Sequence, residues 1–332
     1  MSKLYSRPMR VALVGSGSIA QRYLSILIED FKSEVQIISD FQPESLNNIK
    51  MLSRLDARDE LGKGKNEFDA LIIASENINH LSDFEQFSNL SQNVLIEKPL
   101  FYKPLNQDEI NLLSHFNGNL VISSPLRFHE GYVNLKQLIR NVGRINVVEV
   151  RCQSWLPDWR VARDFRKGFW SDVKQGGVLR EIVHELDYLV SLFGSLQVLW
   201  ASSTFSEFLD LDVESGITAI LRTSNNVLID LRLDFSTRAA RRHLRVDGDK
   251  GSLIWNLLTG TLEFFDGRNS EEYSYSQDLD RNKTFRRQID SLINPRTWEV
   301  LGTSLFEGLQ ALDLIDEIYN LANHNSFVGD TI

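Results

Sequence analysis

Apolar and polar positions follow two different patterns in the two parts of the chain. Over the first 123 residues, short apolar runs are separated by segments with helical periodicity. Strands that alternate with helical segments of about ten to fifteen residues are typical of βαβ units with a parallel sheet. The predicted strands are 9–15, 34–40, 69–74, 93–97 and 119–123, and the predicted helices are 18–31, near 44–54, 80–91 and 105–116.

The pattern changes after Pro125, where long runs alternate between apolar and polar positions at every second residue. These predicted strands are 145–152, 196–203, 216–222, 226–234, 241–247, 252–255 and 261–265. The predicted helices are 129–141, 177–193, and two near 283–293 and 303–323. Because few helices separate the strands, we expect a large, mostly antiparallel open sheet. The pattern predicts an α/β protein with two domains, a doubly wound one over 1–123 and an α+β one over 124–332.

A glycine loop joins the first predicted strand to the first predicted helix, in the form Gly15-x-Gly17-x-x-Ala20. The first glycine permits a tight turn, the second lets backbone approach a pyrophosphate, and the alanine allows close helix packing. The helix amino terminus offers N–H groups and a positive partial charge to phosphates. The pattern therefore predicts a Rossmann dinucleotide site. The loop residues expected at the cofactor are Gly15, Ser16, Gly17, Ser18, Ile19 and Ala20.

An acidic residue, Asp40, ends the second predicted strand twenty positions beyond Ala20. A carboxylate at this point can accept hydrogen bonds from the adenosine ribose hydroxyls and repels a 2′-phosphate. Ser39 and the absence of an arginine directly after Asp40 agree with this reading, so NAD is favoured over NADP. The alternative is a strand-end carboxylate that only caps the following turn.

The tripeptide Glu97-Lys98-Pro99 closes the apolar run that forms the fourth predicted strand. Proline removes a backbone donor and disfavours helical backbone at Lys98, so the chain turns where the strand stops. Ligands bind at the carboxyl edge of open α/β sheets. Lys98 is therefore predicted to lie beside the cofactor, although a lysine in such a place is otherwise often a solvated charge.

Composition narrows the range of partners. The net charge of −9 disfavours nucleic acid or an anionic membrane as the main partner. Cys152 is the only cysteine, so no intrachain disulfide or cysteine-based metal site is expected, and we predict no metal. The sequence has no signal-peptide-like segment and no apolar run near the length of a membrane span. We expect a cytoplasmic protein.

These motifs together resemble the Gfo/Idh/MocA family of NAD(P)-dependent oxidoreductases. The resemblance rests on the glycine loop, Asp40, Ala74-Ser75-Glu76-Asn77…His80, Glu97-Lys98-Pro99, Arg127-Phe128 and Gly176-Gly177…His184…Asp187. It implies a carboxy-terminal α/β domain whose open sheet makes dimers or tetramers, and hydride exchange between a nicotinamide and a sugar or cyclitol. On the cofactor side it adds Ser75, Asn77, His80, Glu97 and Lys98, although His80 could equally be structural.

Oxidation of an alcohol requires a hydride acceptor, a base for the hydroxyl proton and positive charge for the developing alkoxide. Lys98 suits the last role, and the family carries its acid/base histidine at the position of His184, so both are predicted to be catalytic. On a continuous helix over 177–193, Arg180, His184 and Asp187 fall on one polar stripe beside an apolar one. The alternative is an exposed helix with ordinary ion pairs.

Two departures from the family pattern are Arg180, where an aspartate is common, and Pro125, where a polar residue is common. An arginine cannot act as a base but can hold an anionic group bidentately. Between 155 and 167 the sequence carries tryptophans that could cover a sugar ring and arginines that select anions. Packing of a surface loop is the alternative. The predicted substrate residues are Arg127, Trp155, Trp159, Arg163, Arg166, Arg180, His184 and Asp187.

The sequence thus predicts an NAD-dependent dehydrogenase or reductase for a sugar or nucleotide sugar with an acidic or phosphorylated group. The tracts around Trp155 and His184 resemble relatives from bacterial surface-sugar biosynthesis. Two alternatives remain open, a non-catalytic regulator that binds NAD and a sugar, and an epimerase or lyase that uses tightly bound NAD transiently. The resemblance predicts a homodimer or homotetramer formed through the carboxy-terminal sheet. Substrate, direction and oligomer size are not specified.

Overall fold

The computed structural model describes residues 7–61, 67–160, 164–293 and 301–325. The chain forms two compact units. Unit 1 comprises 1–128 and 281–309, and unit 2 comprises 129–280 and 310–332. The predicted fold class, a parallel α/β sheet followed by a largely antiparallel one, is confirmed. No helix among the described residues is both long and apolar enough to cross a membrane.

Unit 1 contains a six-stranded parallel sheet. Its strands are β1 (Arg10–Val14), β2 (Glu34–Ile38), β3 (Met51–Leu52), β4 (Ala70–Ile73), β5 (Asn93–Ile96) and β6 (Asn119–Ile122). They lie in the order β3-β2-β1-β4-β5-β6, with Val14 at the end of β1 paired to Ile38 and Ile73. This order is that of a dinucleotide-binding fold, in which ligands bind where the order reverses beside β1. All strands end at one edge, so the loops after β1, β2, β4 and β5 lie at that edge.

The helices of unit 1 begin near their predicted positions, with one exception. They are α1 (Ser18–Glu29), α2 (Arg54–Leu61), α3 (His80–Phe87), α4 (Gln107–Ser114) and, after unit 2, α8 (Arg281–Ile293). The helix predicted near 44–54 is wrong, because only a 3₁₀ turn forms at Glu44–Leu46 and the apolar pair Met51–Leu52 joins the sheet edge beside β2. The next helix therefore begins at Arg54, immediately after that edge strand.

Helix α8 returns the chain to unit 1 after the first segment of unit 2, which ends at residue 280. Its buried residues Phe285, Ile289 and Leu292 belong to the same apolar cluster as Tyr23 and Leu27 of α1. The charged residues of this arginine-rich helix lie on its other face, so apolar and charged residues alternate at helical spacing. One consequence is that a polar residue on the inner face of α8 reaches the interior of unit 1.

Unit 2 contains an eight-stranded sheet. Its strands are β7 (Ile145–Trp155), β8 (Leu196–Thr204), β9 (Gly216–Thr223), β10 (Leu228–Asp234), β11 (Ser236–Gly248), β12 (Ser252–Asn256), β13 (Thr261–Phe265) and β14 (Ser270–Ser274). They lie in the order β14-β13-β12-β11-β7-β10-β9-β8, and every neighbouring pair is antiparallel except β7 with β10. The sequence did not predict β14, because Ser270–Ser274 carries one aromatic and otherwise polar side chains.

Alternate residues of the unit 2 strands are buried on one face, as Val148, Val150 and Cys152 are in β7. The remaining helices are α5 (Glu130–Leu138), α6 (Val178–Glu181), α7 (His184–Phe193) and α9 (Leu305–Asn325), and the residues of α9 up to 309 belong to unit 1. The predicted continuous helix over 177–193 is wrong, since the backbone leaves helical geometry at Ile182 and the chain forms two helices, α6 and α7.

Candidate cofactor and substrate residues

The two glycines of the loop after β1 serve different purposes. Gly15 has φ +110°, and a Cβ atom built on it would lie 2.5 Å from the carbonyl oxygen of Ala74. Gly17 has φ −67°, and a Cβ atom built there would meet no heavy atom within 4 Å. Glycine at position 15 is therefore required by the fold itself. At position 17 the fold leaves open space, which is the property that close approach of a ligand to the backbone requires.

Helix α1 begins directly after this loop. Gly17 is its N-cap residue and no side chain caps the helix, so the first-turn N–H groups remain oriented outward from the amino terminus. Ala20 is buried against the core and Ile19 is half-buried beside it. Ser18 is exposed at the first position of the helix. This arrangement matches the predicted phosphate-binding loop.

Ser16 turns toward the end of β2 instead of toward solvent. Its hydroxyl donates to the carbonyl oxygen of Phe41 at 2.6 Å and lies 3.0 Å from the hydroxyl of Ser39. The side chain of Gln21 donates to the Ser16 carbonyl oxygen at 2.9 Å. These bonds fix the glycine loop to the segment that carries Asp40. The contribution of Ser16 to the site is thus to hold the loop in place.

Asp40 lies at the end of β2, with 57% of its side chain exposed. Its Oδ1 accepts from the backbone N–H of Arg54 at 2.8 Å, and its Oδ2 accepts from Arg54 Nη1 at 3.0 Å. These hydrogen bonds, the backbone one first, lower the pKa of Asp40 and keep it ionised. The carboxylate that the sequence predicts at the ribose lies at the end of β2, and it is already paired with Arg54, which was not predicted.

Arg54 also makes a bidentate ion pair with Asp83. Its Nε donates to Oδ1 at 2.6 Å and its Nη2 donates to Oδ2 at 3.0 Å, and the Asp83 side chain is 1% exposed. Ser75 donates a further hydrogen bond to Asp83 Oδ2 at 2.6 Å. Hydrogen bonding to Asp83 raises the pKa of Arg54 further. One guanidinium thereby joins Asp40 at the end of β2 to Asp83 of α3, and Asp83 in turn holds Ser75 after β4.

Asn77 carries the buried amide of unit 1 that is best suited to hydrogen-bond a ligand at the sheet edge. It is 2% exposed, and neither its amide nitrogen nor its amide oxygen has a hydrogen-bond partner among the described residues. A buried polar group left without a partner costs about 1–3 kcal/mol, so such groups usually mark a bound water or ligand. An amide can supply both a donor and an acceptor to a cofactor at this edge.

His80 is buried and surrounded by carbonyl oxygens. Its Nδ1 lies 3.1 Å from the oxygen of Pro99 and 3.2 Å from that of Leu100, and its Nε2 lies 3.1 Å from that of Ser75. Burial lowers the pKa of His80. These contacts favour the structural alternative for His80, which joins the loop after β4 to the loop that follows Lys98.

Glu97 faces the interior of unit 1. Its Oε1 accepts from Tyr23 Oη at 2.6 Å and from Ser123 Oγ at 2.7 Å, and its Oε2 accepts from the backbone N–H of Lys98 at 3.2 Å. A carboxylate with three donors is firmly oriented. Glu97 therefore holds the strand end in place beneath Lys98, which follows it and is half-buried.

A residue of α8 completes this buried network. Gln288 Nε2 donates to Tyr23 Oη at 2.8 Å, and Gln288 Oε1 accepts from the backbone N–H of Ser124 at 2.8 Å. Burial raises the pKa of Tyr23 well above its ordinary value, and the charge of Glu97 adds to the shift. The sequence analysis missed both residues. The available signal was a polar group on the apolar face of each helix.

Arg127 is buried in unit 1, with a side chain 3% exposed. Its Nη1 donates to Glu307 Oε1 at 2.8 Å. Burial would raise the pKa of Glu307, but the charge of Arg127 and the hydrogen bonds from Ser304 lower it. One nitrogen of this predicted substrate residue is thus used within unit 1.

In unit 2, His184 is the first residue of α7 and is half-buried, and Asp187 is buried one turn later. Arg180 lies in the separate helix α6, where its Nη1 donates to the Gly176 carbonyl oxygen at 3.2 Å. Its guanidinium carbon lies 4.6 Å from the ring centroid of Tyr319. The predicted polar stripe of Arg180, His184 and Asp187 on one helix is therefore wrong, because the helix breaks between the first two.

The double glycine before α6 is explained by a buried carboxylate. Gly177 has φ +95°, and a Cβ atom built on it would lie 2.3 Å from Glu214 Oε1. The same oxygen accepts from Tyr319 Oη at 2.7 Å and from the backbone N–H of Leu179 at 3.3 Å. Burial raises the pKa of Glu214. No local pattern predicts Glu214, because it lies far from the glycines along the chain.

The tryptophans at the end of β7 have separate environments. The guanidinium carbon of Arg238 lies 4.1 Å from the ring centroid of Trp155, so one face of that ring is covered. Trp159 is 39% exposed, and its Nε1 donates to Ser154 Oγ at 2.9 Å. Trp159 therefore keeps more open surface than Trp155, and Arg238 is a cation that the sequence analysis did not select.

The segment after Trp159 carries two more predicted substrate residues, Arg163 and Arg166. Arg166 is 44% exposed and lies 3.6 Å from Asp164 Oδ1 and 3.7 Å from Asp210 Oδ2. Arg163 lies outside the residues that the structure describes. Exposed ion pairs at such distances are weak, so the guanidinium of Arg166 can exchange them for another anion.

The residues of unit 1 fit a dinucleotide. The open space at Gly17, the uncapped amino terminus of α1, the ionised Asp40 and the unsatisfied amide of Asn77 all lie in loops at one sheet edge. Each provides what one part of a dinucleotide needs, namely room and N–H groups for the pyrophosphate, an acceptor for the ribose, and an amide partner.

Comparison with protein-family models gives matches to both parts of the chain. Residues 9–122 match the oxidoreductase family's NAD-binding Rossmann fold, and residues 136–329 match its C-terminal alpha/beta domain. A search of curated protein sequences gave no significant match.

Solved structures share the fold at low sequence identity. An inositol dehydrogenase homolog from Azotobacter vinelandii complexed with NAD+ has a TM-score of 0.77 at 13% identity, covering 98% of this chain and 97% of that one. The WlbA dehydrogenase from Bordetella pertussis, in complex with NADH and UDP-GlcNAcA, has a TM-score of 0.74 at 19% identity, covering 97% of each chain. UDP-N-acetylglucosamine 3-dehydrogenase GnnA from Acidithiobacillus ferrooxidans has a TM-score of 0.71 at 18% identity, covering 96% and 99%. With both family models matched, the chain belongs to the Gfo/Idh/MocA family of NAD-binding oxidoreductases.

Proposed function

We propose that the protein is an NAD-dependent dehydrogenase or reductase that acts on a secondary alcohol or ketone of a sugar or nucleotide sugar. The observation that carries the proposal is the position of Lys98 at the carboxyl end of β5. The adjoining Glu97 is held by three hydrogen bonds, so the strand end that presents Lys98 is fixed. A cation held in this way beside an NAD site suits stabilisation of a developing alkoxide.

Each catalytic role is assigned within its own unit. The nicotinamide, when bound, supplies or accepts the hydride. Lys98 stabilises negative charge on the substrate oxygen as the carbinol is oxidised. His184, at the half-buried start of α7, takes the hydroxyl proton on oxidation and returns it on reduction, which an imidazole does near neutral pH.

NAD is proposed as the preferred cofactor. Asp40 is ionised and exposed at the end of β2, so it can accept hydrogen bonds from the ribose hydroxyls. The same charge opposes a 2′-phosphate. A preference for NADP in direct binding measurements would contradict this part of the proposal.

A nucleotide sugar with an acidic group is the substrate class that we favour. Unit 2 carries exposed aromatic surface at Trp159 and the guanidinium of Arg238 against Trp155, a combination that suits a sugar ring next to an anion. Two of the structurally similar dehydrogenases are named for, or bound to, UDP-linked amino sugars. We therefore propose a role in the biosynthesis of bacterial surface polysaccharide sugars, in the cytoplasm.

The open face of the unit 2 sheet is proposed to form a homodimer or homotetramer. Charged side chains on this face are already paired, as in the contact of Arg151 Nη2 with Glu149 Oε2 at 3.0 Å. Pairing of charges lowers the cost of covering the face with a second copy. Light scattering coupled to size exclusion would give the mass, and a monomer would contradict the proposal.

The test of the enzymatic proposal is absorbance at 340 nm with NAD+ or NADP+ against sugars, uronic acids and nucleotide sugars. Turnover on one class that is lost in His184→Ala would support the proposal and identify the substrate. Tight NAD binding without turnover on any compound would favour a non-catalytic regulator. Cofactor retained through purification, with no net turnover, would instead favour an epimerase or lyase that uses NAD transiently.

A further inference from the structure

We propose that Arg54 is a preformed binding group for the 2′-phosphate of NADP, and that Asp40 masks it. On this view the exclusion of NADP depends on Asp40 alone, and removal of that one carboxylate exposes a phosphate site. The inference rests on the proposed NAD preference of the same site and concerns how that preference is set.

Arg54 is held in place by contacts that do not involve Asp40. Its Nε and Nη2 both donate to the buried carboxylate of Asp83, at 2.6 and 3.0 Å. Asp83 is itself oriented by the hydroxyl of Ser75 at 2.6 Å, and its side chain is 1% exposed. A planar guanidinium fixed through two of its nitrogens on a buried carboxylate loses little of its position when a third partner is removed.

Two further donors of Arg54 are directed to Asp40. Nη1 donates to Oδ2 at 3.0 Å and the backbone N–H donates to Oδ1 at 2.8 Å. The Arg54 side chain is 24% exposed and that of Asp40 is 57% exposed, so Asp40 is the more accessible member of the pair. Two N–H groups that donate hydrogen bonds to one carboxylate can also donate to two oxygens of a phosphate.

The charge balance explains why the site rejects phosphate while Asp40 is present. Arg54 carries one positive charge against the two negative charges of Asp40 and Asp83, so the group is net negative. Without Asp40 the group becomes neutral, with a guanidinium and an N–H released at the end of β2. An arginine at this point is the feature that accommodates NADP in dinucleotide-binding folds.

The experiment measures dissociation constants for NADH and NADPH by nicotinamide fluorescence, which needs no substrate. In Asp40→Ala we expect NADH binding to weaken by about tenfold or more and NADPH binding to tighten by about tenfold or more, because charge-assisted hydrogen bonds are lost to one ligand and gained by the other. In Asp40→Ala combined with Arg54→Met, the gain for NADPH should shrink to the part that comes from removing the Asp40 charge, while NADH binds as in the single variant.

A second pair of variants controls for the buried charge that Arg54→Met leaves on Asp83. Asp83→Asn is added to both proteins, and thermal melting confirms that each is folded. Asp40→Ala/Asp83→Asn should bind NADPH more tightly than its partner that also carries Arg54→Met.

Two results would overturn the inference. One is NADPH affinity in Asp40→Ala that is no tighter than in the wild type, and the other is a gain that is as large without Arg54 as with it. Failure of the wild type to bind NADH would instead contradict the cofactor assignment, so the two failures are distinguishable.

Discussion

Unit 1 and unit 2 position their functional groups in different ways. In unit 1 the backbone at Gly15 and Gly17 shapes the cofactor loop, and the buried carboxylate of Glu97 holds the strand end that carries Lys98. In unit 2 the predicted substrate residues contact other side chains, as Arg180 contacts Tyr319 and Trp155 contacts Arg238. A binding function built from backbone is local in sequence, whereas one built from side chains depends on partners contributed by distant segments.

The two units nevertheless share one structural feature, a buried carboxylate adjacent in sequence to a residue with a proposed catalytic role. Glu97 precedes Lys98 in unit 1, and Glu185 follows His184 in unit 2. Glu97 is satisfied by hydroxyl and backbone donors, while Glu185 is paired with the guanidinium of Arg242 at 2.8 Å. Each unit should therefore depend on its own contacts, the hydrogen bonds of Glu97 in unit 1 and the ion pair of Glu185 with Arg242 in unit 2.

The largest effect is expected at Gly15, with Gly17 as the matched control. Gly15→Ala should lower the free energy of unfolding by about 2–6 kcal/mol, since strained backbone and overpacking each cost about 1–3 kcal/mol. Gly17→Ala should melt near the wild-type temperature, because its Cβ meets no atom within 4 Å, yet bind NADH about tenfold or more weakly. Urea unfolding and NADH titration measure both. Equal stability losses in the two variants would remove the distinction drawn between these glycines.

A slightly smaller effect is expected at the buried ion pair of unit 2. The Glu185 side chain is 0% exposed, so Arg242→Met should cost about 3–5 kcal/mol by leaving a buried carboxylate without its partner. The double variant Glu185→Leu/Arg242→Met should lose less than Arg242→Met alone. Urea unfolding of the two single variants and the double variant gives the coupling energy. Purely additive losses would show that the pair does not act as a unit.

The network behind Lys98 should give an intermediate effect. Gln288→Leu removes the acceptor of the Ser124 N–H and the donor to Tyr23, which should cost about 1–3 kcal/mol and lower kcat severalfold as Glu97 loosens. Asp290→Asn, on the exposed face of the same helix, is the control and should stay within about 0.5 kcal/mol of wild type. Wild-type kcat in a destabilised Gln288→Leu protein would confine the network to stability.

The smallest effect is a pH dependence at Glu214. Burial raises its pKa in the folded state above the ordinary value of 4.5, so the stability that its protonated form contributes is complete below that value. This contribution is lost as the pH rises through the raised pKa. Glu214→Gln keeps the acceptor oxygen for Tyr319 and Leu179 but stays neutral. The variant should therefore gain stability relative to wild type as the pH rises from 4.5, and a constant difference in urea unfolding across this range would contradict the shift.

The cofactor half of the molecule could be predicted from sequence to a large extent. Five strands of the parallel sheet, the glycine loop, Asp40 and Lys98 follow from local patterns, because a strand, a turn and a helix are adjacent in the chain. Arg54 was not predicted as a site residue, because its position depends on the short edge strand Met51–Leu52. The apolar pattern predicts a helix in place of that strand. Gln288 was not predicted as a site residue either, because nothing near it in the sequence indicates that α8 returns to unit 1.

The substrate half could be predicted less well. Alternating patterns gave seven of its eight strands, but α6 and α7 were taken as one helix because Ile182 and Val183 continue the apolar spacing. That error placed Arg180 on a stripe with His184. The side-chain partners Glu214, Tyr319 and Arg238 come from segments far along the chain, so no local pattern could supply them.

The central claim is that Lys98, at the end of β5, is required for the chemical step but not for cofactor binding. The most direct measurement compares Lys98→Ala with wild type for both NADH dissociation constant and kcat on the substrate found in the panel. We predict a dissociation constant within about threefold of wild type, since the loop residues and Asp40 are untouched, and a kcat reduced by about 10²–10⁴-fold. Unchanged kcat in Lys98→Ala, with cofactor binding intact, would contradict the claim.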